Sequence, residues 1–220
     1  MSSIYLGHVK DQNKRSVSSS GGMVRAIFEH ALLSGFVDKV WIVKCPNTVI
    51  TVDKSNIADM WTEGSASIYR RIRFNVDPQD GAFLLPCQSA QRCKLKISPV
   101  CGGVLDPQYI KTLGEVVTYR DGMWPGLNLR TVNNQTQRAY KKDKTELACK
   151  KCKLVECKSH MLVLDPWELL QKTPQPGWTL LKLQDPSMQW LVEQADIEFI
   201  KLKPTVWASH IDKFKAGHKR

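Results

Sequence analysis

Residues 18 to 43, SSSGGMVRAIFEHALLSGFVDKVWIV, constrain the fold more than any other stretch of the chain. The small residues Ser18 to Gly22 predict a tight turn. Val24, Ile27, Phe28, Ala31 and Leu32 then recur at helical spacing, and Gly35 suits the helix stop. VDKVWIV is a short apolar run that predicts a strand ending near Val43. A helix joined to a strand by a short turn predicts an α/β layer. The pattern returns in the last third. TLLKL predicts a strand, Asp185-Pro186 opens a helix carrying Met188, Leu191 and Val192, and IEFIKL predicts another strand. The expected fold class is α/β: a single domain with a mixed sheet flanked by helices and one long cysteine-bearing loop excursion.

The middle of the chain is less regular. Residues 1–20 read as an extended start, Lys54 to Thr62 as a short helix, and SIYRRIRF as an alternating strand. Ala82 to Leu85 predicts a brief strand before Pro86-Cys87-Gln88, Pro107 to Leu113 a short helix, and Glu115 to Tyr119 an extended segment. Residues 120–153 are rich in Gly, Asn, Gln and Lys and lack core periodicity, as expected of a long loop that is either functional or disordered. Met161 to Leu164 predicts a further strand. The expected organisation is one domain over residues 1–208, with the excursion at about 120–160, and a basic, fraying tail over 209–220.

With 42% hydrophobic residues in 220, the chain is long enough for a buried core. It has no apolar run of membrane-spanning length, and MSSIYLGHVKDQNKR is too polar for a secretory leader. A cytoplasmic protein is expected. The formal charge of +11 points to an anionic partner, whether nucleic acid, an acidic protein or a phosphate-rich cofactor, or simply to a solvated basic surface.

Seven cysteines in a reducing compartment favour metal or redox chemistry over disulfides. Cys149, Cys152 and Cys157 form C-x2-C-x4-C, and the x2 spacing lets two thiolates reach one metal from a single turn. Cys87 and Cys101 lie upstream at the ends of apolar segments. Four thiolates suit tetrahedral zinc or a [4Fe-4S] cluster, and the spacing does not choose between them. Lys141, Lys142, Lys144, Lys150, Lys151 and Lys153 stabilise thiolates and would raise the potential of a cluster. Cys45 and Cys93 have no cysteine at metal spacing and read as ordinary thiols.

Two further segments have cofactor-binding composition. The Ser18–Gly22 turn opens a helix, where small residues admit a ligand to the backbone and free N–H groups favour phosphate; an ordinary capping turn has the same composition. Arg120 to Gly126, RDGMWPG, combines a guanidinium for phosphate with a tryptophan for ring stacking. Asp165-Pro166-Trp167 reads as a strand end and turn.

The order of these pieces resembles the coenzyme F420 hydrogenase/dehydrogenase beta-subunit family. The carriers are SSSGGMVRAIFEHALLSGFVDKVWIV, FLLPCQSAQR, ISPVCGGVLDPQYI, YRDGMWPGLNLR, LACKKC with MLVLDPW, and GWTLLKLQDPSMQWL, over roughly residues 16 to 205. Leu164 stands where the family often has glycine, and the ferredoxin-like segment of many members is missing. The resemblance implies an α/β fold, bound FAD and a nearby [4Fe-4S] cluster. It further implies hydride exchange between the flavin and a partner such as coenzyme F420, and a redox partner protein or catalytic subunit. It assigns Ser20, Gly21 and Gly22 to the FAD phosphates and Arg120, Trp124 and Gly126 to further flavin contacts. It assigns Cys87, Cys101, Cys149 and Cys152 to the cluster, with Cys157 as the substitute ligand if Cys87 lies by the flavin ring. No acid–base pair stands out as catalytic. The competing readings are a zinc-stapled basic protein that binds nucleic acid, and a flavoreductase acting on an acidic or nucleic-acid substrate.

Overall fold

The computed structural model describes residues 2–44, 48–62, 81–84, 93–100, 106, 108–109, 116–118, 128–131, 136–138, 156–164, 166 and 177–218. The chain opens with β1 (Ser3–Val9), α1 (Gln12–Ser16), α2 (Met23–Leu33), β2 (Lys39–Lys44), β3 (Thr48–Val52) and α3 (Asp59–Thr62). Then come β4 (Gly81–Leu84), β5 (Leu95–Pro99), β6 (Val116–Thr118), β7 (Asn128–Thr131), β8 (Thr136–Arg138) and β9 (Met161–Leu164). It closes with β10 (Thr179–Leu183), α4 (Gln189–Gln194), β11 (Ile197–Leu202) and α5 (Pro204–His218).

Eight strands form one mixed sheet in the order β11-β1-β10-β9-β5-β4-β2-β3. Pairings β9–β5, β5–β4 and β4–β2 are parallel, whereas β1–β10, β1–β11, β10–β9 and β2–β3 are antiparallel. Two antiparallel steps restore direction, so β1 runs the same way as β9, β5, β4 and β2. The expected α/β class with a mixed sheet flanked by helices is what the structure has.

Side-chain alternation along the strands divides the core in two. Tyr5, Val9, Leu95, Ile97, Met161, Leu181 and Leu183 face one side, where they meet Met23, Ala26, Ile27, Phe28, Ala31 and Leu32 of α2 and Leu191 and Val192 of α4. Those six α2 residues are at most 1% exposed, and each large one contributes about 1.5–3 kcal/mol on burial. Ile4, Leu6, Leu162, Leu164 and Leu180 face the other side with Trp207 and Ile211 of α5. Glu156 pins this second layer: its carboxylate accepts from Lys182 Nζ (3.0 Å) and Trp207 Nε1 (2.9 Å).

The helix–strand unit lies where its periodicity predicts, and Gly35 adopts a left-handed φ of 73° at the α2 stop. Val24 is only partly buried, and Met23 takes the core position instead. Several expectations need correction. The predicted helix over 54–62 shrinks to α3, because Asp53 and Asn56 use their side chains to build a turn ahead of it. In the stretch read as irregular, β7 pairs with β8 and with β6 as the central strand of a three-stranded antiparallel sheet. The end expected to fray is helical to His218, held by buried Trp207 and Ile211. The predicted strand over 67–76 lies outside the described residues, as does most of the predicted helix over 107–113. No described helix is long and apolar enough to cross a membrane.

One pH effect follows from the sheet. The His160 ring Nδ1 accepts the Lys96 backbone N–H at 2.8 Å, which requires an unprotonated nitrogen there. Burial pulls His160 below its usual value, assisted by Lys96 and partly offset by Asp185; burial also lowers His8. The folded values lie below the unfolded one of about 6.5, so below that pH the unfolded chain binds more protons. These groups contribute their full stability above about pH 6.5 and lose it as pH falls through the folded values. Urea midpoints are expected to drop between pH 7.5 and 5.5. His160→Leu should cost about 1–3 kcal/mol at the higher pH by orphaning the Lys96 N–H, and should flatten the slope. A wild-type midpoint that does not move over this range would refute this account.

Candidate functional site at the carboxyl edge of the sheet

The shared direction of β1, β9, β5, β4 and β2 gathers their carboxyl ends on one edge. In the register, Gly7 lies opposite Thr179 and Leu164 opposite Leu180, so β10 starts at this same edge. In open α/β sheets such an edge is the usual place for a ligand.

The Ser18–Gly22 turn is built here. Asp11 caps α1 by accepting from the backbone N–H groups of Asn13 (2.8 Å) and Lys14 (3.0 Å). Ser18 Oγ donates to the Lys14 carbonyl at 2.6 Å and ends the helix. Ser20, Gly21 and Gly22 follow with φ of 52°, 73° and 72°, three left-handed residues in succession. A Cβ on Gly21 would lie 2.0 Å from the Gly177 carbonyl oxygen and 2.9 Å from His8 Cβ. Thr179 Oγ1 donates to the Ser20 carbonyl at 2.6 Å, fastening the turn to β10. Gly21 and Gly22 are buried by this packing, so a ligand would meet the turn through Ser20 and the first N–H groups of α2.

Charge collects around the turn. Arg15 is 3% exposed, donates Nε–H to the Gly177 carbonyl at 3.3 Å and stacks over Trp178, 5.6 Å from the ring centroid. His8 is equally buried; its Nδ1–H donates to the Val9 carbonyl at 2.8 Å, its ring meets Trp178 edge-on, and Nε2 faces Glu198 at 3.9 Å. The Trp178 indole N–H is buried and has no hydrogen-bond acceptor among the described residues. Arg25, on the first turn of α2, reaches Ser18 Oγ at 3.4 Å.

Of the residues expected from the sequence, Ser20, Gly21 and Gly22 come together here. Arg120, Trp124, Gly126, Cys87, Cys101, Cys149 and Cys152 lie outside the described residues. The strands that precede Cys87 and Cys101 in sequence, β4 and β5, both end on this edge, as does β9 before Asp165. Cys157 lies elsewhere: it precedes β9, next to Glu156, and packs half-buried against the second core. Cys93 is a half-buried thiol, pushed upward by burial and lying 3.5 Å from the Leu95 carbonyl. Among the described residues no three His, Cys, Asp or Glu side chains are grouped to hold a metal ion. Sequence reasoning singled out none of His8, Arg15, Arg25, Gly177, Trp178 and Thr179 as site residues, although Arg25, Gly177, Trp178 and Thr179 lie in segments that carry the resemblance.

This edge, with a glycine turn and two arginines beside parallel strand ends, lies where open α/β sheets usually take a ligand. Residues 4–61 match the model of the family described as coenzyme F420 hydrogenase/dehydrogenase, beta subunit N-terminal region. The resemblance read from the sequence holds over this N-terminal stretch. A solved structure of the F420-reducing [NiFe] hydrogenase complex from Methanosarcina barkeri, a xenon derivative, has a similar fold. The TM-score is 0.66 over 98% of this chain and 88% of that chain, at 9% identity. No curated protein matches this chain.

Proposed function

We propose that this chain is a flavin- and iron–sulfur-dependent oxidoreductase subunit that passes electrons between a hydride carrier, such as coenzyme F420, and a partner protein. The observation that supports it best is the convergence of the left-handed Ser20–Gly22 turn with the strand ends leading to Cys87, Cys101 and Asp165 on one sheet edge. The surroundings of the turn suit a dinucleotide: Ser20, the first N–H groups of α2 and two arginines lie beside it.

In this reading Ser20, Gly21 and Gly22 approach the FAD phosphates, and Arg120, Trp124 and Gly126 add flavin contacts. Cys87, Cys101, Cys149 and Cys152 hold a [4Fe-4S] cluster, with Cys157 as the alternative ligand. When bound, FAD would accept a hydride as an electron pair and release the electrons singly to the cluster. The chain's own part is to bind, orient and shield: Thr179 and Arg15 fix the turn, and Trp178 walls its flank. We place the protein in the cytoplasm. Because its structural neighbour is part of a hydrogenase complex, we expect a catalytic-subunit partner.

The test is an anaerobic visible spectrum of the purified chain, with iron, sulfide and zinc measured on the same sample. Flavin bands over a broad cluster shoulder are expected. A colourless, zinc-loaded protein that stays colourless after reconstitution would overturn the reading and favour a zinc-stapled binding module.

A further inference from the structure

The eight-stranded sheet ends on two strands of different make-up, β11 and β3. An edge strand offers a row of unpaired N–H and C=O groups to any other strand, and chains ordinarily guard it with charge or proline. β11 is guarded: IEFIKL carries Glu198 and Lys201, whose side chains are 67% and 54% exposed. β3 is not. TVITV holds only β-branched residues, with no charge and no proline. Its inner edge pairs with β2, and among the described residues no strand takes its outer edge. Thr48 and Thr51 are exposed, and Val49 and Ile50 are half-buried. Asp53, next along the chain, turns its carboxylate back onto the Ser55 N–H and hydroxyl and so ends the strand.

The make-up of β3 selects its partner. A two-fold axis normal to the sheet through Ile50 would pair two copies antiparallel, with Ile50 on Ile50, Val49 on Thr51 and Thr48 on Val52. Every cross-strand pair is then β-branched on β-branched, the side-chain class that packs best on a pleated surface. The axis also preserves the faces. Thr48, Ile50 and Val52 of both copies stay on the side where Val52 is buried and Ile50 packs against the α2 layer. The paired Ile50 side chains would extend that core across the seam. Two copies that each carry a formal charge of +11 repel, and an uncharged strand is where they can meet without burying a charge.

β11 does not match itself in this way. A two-fold through Ile200 sets Glu198 on Leu202 and Lys201 on Phe199, and one through Phe199 sets Glu198 on Ile200 and Lys201 on Ile197. In both registers each charge faces an apolar side chain.

We propose that β3 is the seam of a homodimer, in which two copies of this chain join their sheets by antiparallel β3–β3 pairing centred on Ile50. The seam is independent of the redox reading.

Sedimentation of the full purified chain over a concentration series tests it. Wild type is expected to dimerise. Thr51→Lys places two lysines diagonally across the axis on the same face and should raise the dimer Kd by about 10-fold or more. Val49→Glu should weaken the dimer likewise. A mixture of the two variants sets the new cation opposite the new carboxylate, so the mixed dimer should form more tightly than either variant with itself. Far-UV circular dichroism checks each fold, and Thr48→Lys, opposite Val52, gives the same loss should Thr51→Lys fail to fold. A wild type that stays monomeric at every concentration overturns the proposal and leaves this edge to a strand of another protein. A dimer that survives the lysine variant unchanged, or variants that do not rescue each other, overturn it as well, because the contact then lies away from β3.

Discussion

Gly21→Ala is expected to destabilise the protein by about 3 kcal/mol or more, a large share of a typical domain's stability. Two costs add at this position. An L-residue at φ of 73° is strained by about 1–2 kcal/mol. The added methyl would also lie 2.0 Å from the Gly177 carbonyl oxygen, and that obstacle is backbone at the start of β10. Gly177 is itself left-handed, with φ of 89°, so neither partner of this contact yields easily. Two other glycines calibrate the effect. Gly35 has the same φ of 73° but open surroundings, its nearest neighbour being Lys54 Nζ at 3.8 Å. Gly35→Ala therefore measures strain alone, about 1 kcal/mol. Gly22→Ala adds side-chain neighbours, Ser18 Oγ at 2.9 Å and Val9 Cγ1 at 3.1 Å, and should fall between the two. Urea midpoints for the three variants give the ranking. Equal losses at Gly21 and Gly35 would mean that the turn relaxes away from Gly177, and the rigid cradle invoked for the dinucleotide would be wrong.

The series also marks where sequence reading succeeded. Helical spacing, a left-handed stop and a β-branched run coincide over 23–44, and each signal is local, so the α2–β2 unit was legible. The short strands β4 and β9 also lie where their apolar runs predict, but other short elements were not legible. The α1 helix has five residues and depends on one Asp11 cap, below the length at which periodicity can be recognised. LKISP of β5 offers only two inward apolar residues and ends in proline, yet it becomes a central strand because β4 and β9 cover both its edges. At the site, small-residue composition announced the turn but not its surroundings. Arg15 bonds Gly177 across a separation of 162 residues, and no spacing rule spans such a distance. Arg25 was hidden differently, on an amphipathic helix where a charged residue ordinarily reads as solvent-facing. Glu29, the carboxylate one turn on, is taken by Lys14 and Trp61, a pairing that sequence spacing does not announce.

Paired replacement of Cys149 and Cys152 by serine is expected to take iron from about four per chain to nearly none while flavin is retained. A serine oxygen is a poor substitute for a thiolate on a soft metal centre, so losing half of a four-thiolate set should empty the site. Flavin should survive, because the turn is held by Thr179, Arg15 and glycine packing, none of which involves those cysteines. The described cysteines supply the controls. Cys93 contacts the Leu95 carbonyl, and burial raises its thiol away from the thiolate a metal requires, so Cys93→Ser should keep its iron. Cys157 follows Glu156, whose bonds to Lys182 and Trp207 tie it to the second core ahead of β9, whereas the turn lies at the far end of that strand. Cys157→Ser should therefore also keep its iron, leaving Cys87 and Cys101 as the completing pair. Iron, sulfide, zinc and flavin per chain, measured for each variant, decide the matter. Iron lost from Cys157→Ser but kept in the paired variant would move the ligand set towards the amino end of β9, away from the flavin edge. A chain carrying zinc in wild type and none in the paired variant would show that these thiolates staple the fold, with the electron-transfer reading abandoned.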